Sequence, residues 1–121
     1  MASFKSSRMA EDIKREITAL IRELKDPRIT ATLLTVVRVE LTADLSYGKI
    51  HISSMDGLEQ AKIAVQGLQS ASGYIRRELG NRLHIRKAPE LKFLADDSVV
   101  RSIEMFAKLK PTETEAQEDE N

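Results

Sequence analysis

The stretch from Leu68 to Phe93, LQSASGYIRRELGNRLHIRKAPELKF, constrains the fold more than any other part of the chain. Apolar residues at helical spacing run up to Leu68, lapse at Ala71-Ser72-Gly73, and restart as Ile75, Leu79 and Leu83. Pro89 then marks a turn, and Leu91, Phe93 and Ala95 alternate with polar residues as in a short strand. Two helices joined at a break and followed by a strand need a second strand upstream to pair with. A strand–helix–helix–strand crossover in one sheet is right-handed, and it predicts that this last strand lies parallel to its predecessor.

The upstream residues supply that partner. In Leu34–Leu41, Val37, Val39 and Leu41 alternate with Arg38 and Glu40. In Tyr47–Ser54, Ile50 and Ile52 alternate with Lys49, His51 and Ser53. Thr42 to Ser46 has the length of a hairpin loop, in which Asp44 can hydrogen-bond the nearby backbone. A first helix is expected over about Ser7–Leu24, with Ile13, Ile17, Leu20, Ile21 and Leu24 as its apolar stripe and Pro27 as its stop. Another should run over about Leu58–Ser70. A final one should follow a cap at Asp96 or Asp97, with Val99, Val100, Ile103 and Phe106 facing inward and Pro111 ending it. The order α-β-β-α-(kink)-α-β-α predicts an α+β fold with helices packed on one face of a three-stranded sheet.

Charge is distributed unevenly. The chain has 19 basic and 19 acidic side chains, but Glu113, Glu115, Glu118, Asp119 and Glu120 crowd its end. Residues 1–110 therefore hold 19 basic against 14 acidic groups. This reads as a basic domain over residues 1–110 and an acidic tail over 111–121, too poor in apolar residues to offset its chain entropy. No apolar run approaches a membrane span, no secretory leader is legible, and the chain has no cysteine. A cytoplasmic monomer is the expectation.

The positive charge is densest after the break. Arg76, Arg77, Arg82, Arg86, Lys87 and Lys92 fall within seventeen residues, beside His84 and against only Glu78 and Glu90. Guanidinium groups suit phosphate and stack on bases, and a helix N-terminus presents backbone N–H groups to anions. The candidate RNA-binding residues are thus Lys5, Arg8, Ala71, Ser72, Gly73, Arg76, Arg77, Arg82, Arg86, Lys87 and Lys92. The alternative is a solvated helix face with local ion pairs. Arg28, after Asp26-Pro27, reads as a turn residue bound to a local carboxylate or as an RNA contact, and Tyr47 as a packing or a stacking residue. With Phe93 and Phe106 assigned to the core, few aromatics are left for a base-reading platform.

Nothing points to catalysis. His51 and His84 lack metal-ligand company, Asp96-Asp97 fall where a helix needs its cap rather than as a catalytic pair, and there is no phosphate-binding Gly-rich motif. No cofactor is expected.

The element order resembles a type II KH domain. The pieces RMAEDIKREI, DPRI, DLSYGKI, ASGYIRRELGNRLHIRKAPELKF and DDS resemble, in order and spacing, the ribosome-binding factor A family of bacterial assembly factors. The resemblance implies binding to the immature small (30S) ribosomal subunit, help with processing the 5′ end of 16S rRNA, importance in the cold, and release by a partner GTPase. It also implies that Ala71-Ser72-Gly73 replaces the G-x-x-G loop with which KH domains clamp nucleic-acid backbone. Lacking the first glycine, the kink is expected to set the angle of the arginine-bearing helix. The acidic tail then has three readings: a solubilising end, a segment that folds over the basic face, or a contact for a ribosomal protein. A protein-interaction module without RNA contact is the competing reading for the whole chain.

Overall fold

A computed structural model describes residues 4–98 and 101–107, with side chains from Ser7 onward. Helix α1 (Phe4–Glu23) is followed by a four-residue helix α2 (Pro27–Thr30). The hairpin β1 (Leu34–Leu41) and β2 (Tyr47–Ser54) comes next, then α3 (Leu58–Ser70), α4 (Ser72–Leu83) and β3 (Glu90–Ala95). The sheet order is β1-β2-β3, with β1 and β2 antiparallel and β2 and β3 parallel, as the crossover rule requires.

The core lies between the sheet and the helices on one of its faces. Ile13, Ile17 and Leu20 of α1, Leu68 of α3, and Ile75 and Leu79 of α4 are fully buried with Ile50, Ile52 and Phe93 of the sheet. Close packing at the α2–α3 contact depends on Gly67. A Cβ there would meet Ile29 Cγ1 at 3.0 Å and Arg28 Cβ at 3.3 Å, so the missing side chain lets the two helices approach. That contact needs α2, an element that in the sequence looks only like a turn. Asp26 caps it by accepting the Arg28 N–H at 2.9 Å, and Pro27 takes the first helical position, where no N–H is needed.

Two expectations require correction. The period-two pattern of β1 breaks at Val37, where the register slips between Val36 and Arg38. Val36 becomes the buried core residue, Val37 is the extra residue of a bulge, and Val39 and Leu41 return to the inner face. The final helix is present over residues 101–107, but Ile103 and Phe106 are exposed rather than inward-facing. Val99, Val100 and the acidic tail lie outside the described residues. Among the described residues no helix is long and apolar enough to cross a membrane.

Candidate nucleic-acid interface

The kink is a change of helix axis with almost no intervening chain. Ala71 ends α3, its N–H donating to the carbonyls of Gly67 and Leu68 at 3.1 Å, and its own carbonyl accepts the Ile75 N–H at 2.9 Å. Ala71 and Ser72 are half-buried. Gly73 is exposed, with nothing within 4 Å of where a Cβ would stand. No side chain caps the N-terminus of α4. The other end of α4 stops at His84, whose left-handed backbone (φ 56°, ψ 43°) turns the chain and donates its N–H to the Gly80 carbonyl.

The structure divides the six cations after the kink into those that hold the fold and those that face water. Arg82 lies three residues after the buried Leu79 and turns toward α1. Its Nη2 donates to Glu23 Oε1 at 3.0 Å, its Nε to Glu78 Oε1 at 3.2 Å, and its Nη1 lies 3.9 Å from Glu16 Oε1. The Glu23 hydrogen bond raises its pKa further. Arg76 is half-buried, donating from Nη2 to the Ala88 carbonyl at 3.1 Å, while its Nε is buried with no hydrogen-bond partner. These two side chains are committed inside the protein because they flank the apolar stripe of α4. Arg76 is a positioning residue in this structure: it ties down the loop that carries Arg86 and Lys87 just before Ala88.

Arg77, Arg86 and Lys87 are exposed, and none is in an ion pair among the described residues. Arg77 belongs to a stripe on the outer face of α4 made of Gly73, Tyr74, Arg77, Asn81 and His84, all exposed. Its guanidinium carbon lies 5.7 Å from the centroid of the Tyr74 ring, a cation–π contact. Tyr74 is a candidate that charge patterning in the sequence does not single out. The signal that could have found it is its spacing of three from Arg77, on the side away from Ile75 and Leu79.

The remaining candidates lie elsewhere. Lys92 alternates with the buried Leu91 and Phe93, so it stands on the open face of the sheet, in register with Lys49 of β2. Arg8 is exposed in the early part of α1, and Lys5 falls in that helix's first turn, before the described side chains. Arg28 is taken up locally by Asp26, with Nη2 2.6 Å from Oδ2; these hydrogen bonds hold the Asp26 carboxyl below its ordinary pKa and raise that of Arg28.

Beside the exposed Lys49 and Lys92, the open sheet face carries a local ion-pair network. His51 Nε2 and Glu40 Oε1 are 2.8 Å apart, and this contact holds the Glu40 carboxyl below its ordinary pKa. Asp96 Oδ1 accepts the Ser98 N–H at 2.6 Å, which lowers the pKa of that carboxyl, and Asp97 pairs with Arg101 at 3.1 Å. Both aspartates thus serve the start of the last helix. Among the described residues no cluster of three His, Asp or Glu is arranged to hold a metal ion. In the hairpin loop Asp44 Oδ1 accepts from Ser46 Oγ, Thr42 Oγ1 and the Ser46 N–H; the Ser46 hydroxyl contributes most to keeping its pKa low, and Tyr47 is exposed.

The element order, the mixed three-stranded sheet and the kinked helix pair define an α+β domain of the type II KH-like class. Known proteins narrow this. The family model described as ribosome-binding factor A matches residues 5–109. Ribosome-binding factor A of Treponema denticola is 42% identical over 99% of this chain and 93% of its own length. The crystal structure of ribosome-binding factor A from Thermus thermophilus superposes with a TM-score of 0.65 at 29% identity, covering 74% of this chain and 93% of that one. A Thermus thermophilus ribosome-binding factor A homology model, fitted into a cryo-EM map of a 30S complex, gives a TM-score of 0.58 at 30% identity, covering 70% and 88%. The chain belongs to the ribosome-binding factor A family.

Proposed function

We propose that this protein is a non-catalytic assembly factor that binds the immature 30S subunit in the cytoplasm and assists the late maturation and processing of 16S rRNA. In this reading it grips rRNA backbone through the outer face of α4 and the Arg86–Lys87 loop. The observation that carries the reading is the exposure of Arg77, Arg86 and Lys87 on one continuous segment with no acidic partner among the described residues. The likeness to a relative fitted into a 30S complex supports the choice of partner. Cations left unpaired by the protein release counterions when they meet phosphate, so binding should weaken steeply with salt. The chain carries no nucleotide-binding loop, and in this reading its departure from the finished subunit is driven by a partner GTPase.

The test has two parts. In sucrose gradients the protein should travel with free small subunits and be absent from translating ribosomes. Replacing Arg77, Arg86 and Lys87 together by Ala should leave the melting temperature unchanged and reduce the slope of log affinity against log salt by about two to three units. An unchanged slope overturns the reading.

The protein-interaction alternative rests on a different observation. Just before β1, Leu33 is 70% exposed beside a groove of about 300 Å³ lined by Ile21, Thr30, Leu34 and Val36. Binding to naked 16S rRNA compared with binding to purified ribosomal proteins separates the two readings.

A further inference from the structure

We propose that Tyr74 and Arg77 form a stacking site for a single unpaired nucleobase of the RNA. The inference rests on the RNA-binding reading above and adds to it a second kind of contact, one that does not depend on phosphate charge.

Tyr74 is one of only two tyrosines in a chain without tryptophan, and it is 39% exposed on the outer face of α4. A lone exposed aromatic carries little meaning, but this one has company. Arg77, one turn on, lies 5.7 Å from its ring centroid. That contact sets the guanidinium over one face of the phenol ring, so a base can extend the stack on the outer side of the guanidinium or on the ring's other face. Bases stack both on aromatic rings and on guanidinium planes. The residue before Tyr74 is Gly73, exposed and with open space where a side chain would begin, so a sugar–phosphate strand can come close to the helix there. Asn81, a turn beyond Arg77 on the same exposed stripe, places an amide donor and acceptor within reach of a base edge.

Among the described residues no hydrogen bond or ion pair takes up the Tyr74 or Arg77 side chain. The core of α4 is made by Ile75 and Leu79, and its tie to α1 by Arg82. Arg86 and Lys87, in the loop that follows α4, supply phosphate contacts for the strand that carries the base. The ligand class is therefore single-stranded or bulged RNA rather than a continuous duplex, whose bases are already stacked on each other.

The tests use the full chain. Tyr47→Phe leaves Tyr74 as the sole tyrosine, and with no tryptophan present its fluorescence reports that one ring. Titration with a single-stranded oligoadenylate at low salt should quench it, and an RNA duplex of equal charge should not. In parallel, Tyr74→Leu should weaken binding of 16S rRNA about tenfold without changing the salt slope, while Tyr74→Phe binds like the parent. Arg77→Lys keeps the charge but loses the plane, and should fall between them. If binding proceeds without quenching and Tyr74→Leu binds as the parent, the stacking site is refuted while the phosphate contacts stand. If the Arg77, Arg86, Lys87 substitutions also leave the salt slope unchanged, the RNA-binding reading itself has failed.

Discussion

The inner and outer faces of α4 carry similar residues and have opposite fates. On the inner side Arg82 meets Glu16, Glu23 and Glu78, and Arg76 reaches the Ala88 carbonyl. On the outer side Arg77 lies over a tyrosine ring and has no ion pair among the described residues. Arg82 lies five positions after Arg77, and by composition the two are equivalent. What separates them is phase relative to Ile75 and Leu79. A cation beside the apolar stripe is drawn toward neighbouring elements and is consumed in holding them, whereas one on the far side keeps its charge for a ligand. A cluster of arginines in a sequence is therefore an upper bound on a binding site.

Substitutions on each face test whether the two act independently. Leu79→Ala, at the centre of the inner face, should cost about 3 kcal/mol in a urea melt, because a fully buried side chain is lost and a cavity remains. The molecules still folded should keep the parental salt slope for RNA. A lowered slope would mean that the two faces are coupled. Arg82→Ala should come next. It unties α4 from α1 and should lower the thermal midpoint by a few degrees, again without altering the salt slope. If instead it left the midpoint unchanged and flattened the slope, Arg82 would belong with Arg77.

The smallest effect should come from acid. Asp26, Glu40, Asp44 and Asp96 are all held below their ordinary carboxylate pKa by hydrogen bonds, chiefly with Arg28, His51, Ser46 and Ser98 respectively. A group depressed in the folded state binds protons more weakly there than in the unfolded chain. Its stabilisation is fully present above the ordinary carboxylate pKa of about 4 and drains away as the pH falls below that value through the depressed ones. Urea midpoints should thus be level from about pH 7 to 5 and decline below about pH 4. A midpoint that rises on acidification would contradict the assigned hydrogen bonds.

Much of the fold was legible because its signals are local. The hairpin strands begin and end where alternation starts and stops. The parallel third strand accords with the helical crossover that joins it to β2, and Asp26 and Asp44 hydrogen-bond within a few residues of themselves. The β1 bulge escaped because Val36 and Val37 are chemically alike, and either can continue the alternation until the pairing with β2 decides. The exposure of Ile103 and Phe106 escaped because helical spacing fixes a stripe but not what covers it. Two of the candidate cations, Arg76 and Arg82, fared likewise. That Arg82 lies three residues from Leu79 and seven from Ile75 was readable, yet its charge placed it among the candidate RNA contacts. That Glu23, 59 residues earlier, would be waiting for it was not.

One side chain in α3 bears on how the molecule behaves in a crowded solution. Gln69 donates its amide to the Leu91 carbonyl and accepts the Phe93 N–H, each at 3.0 Å, along β3 at the margin of the sheet. Its carboxamide imitates the peptide group of an absent fourth strand, so this rim is already zipped shut over those two residues. A stray extended segment, whether from a nascent chain or from another copy, finds no ladder to climb there. The helix that leads into the kink thereby also guards against edge-to-edge polymerisation, a protective duty wholly separate from any grip on RNA.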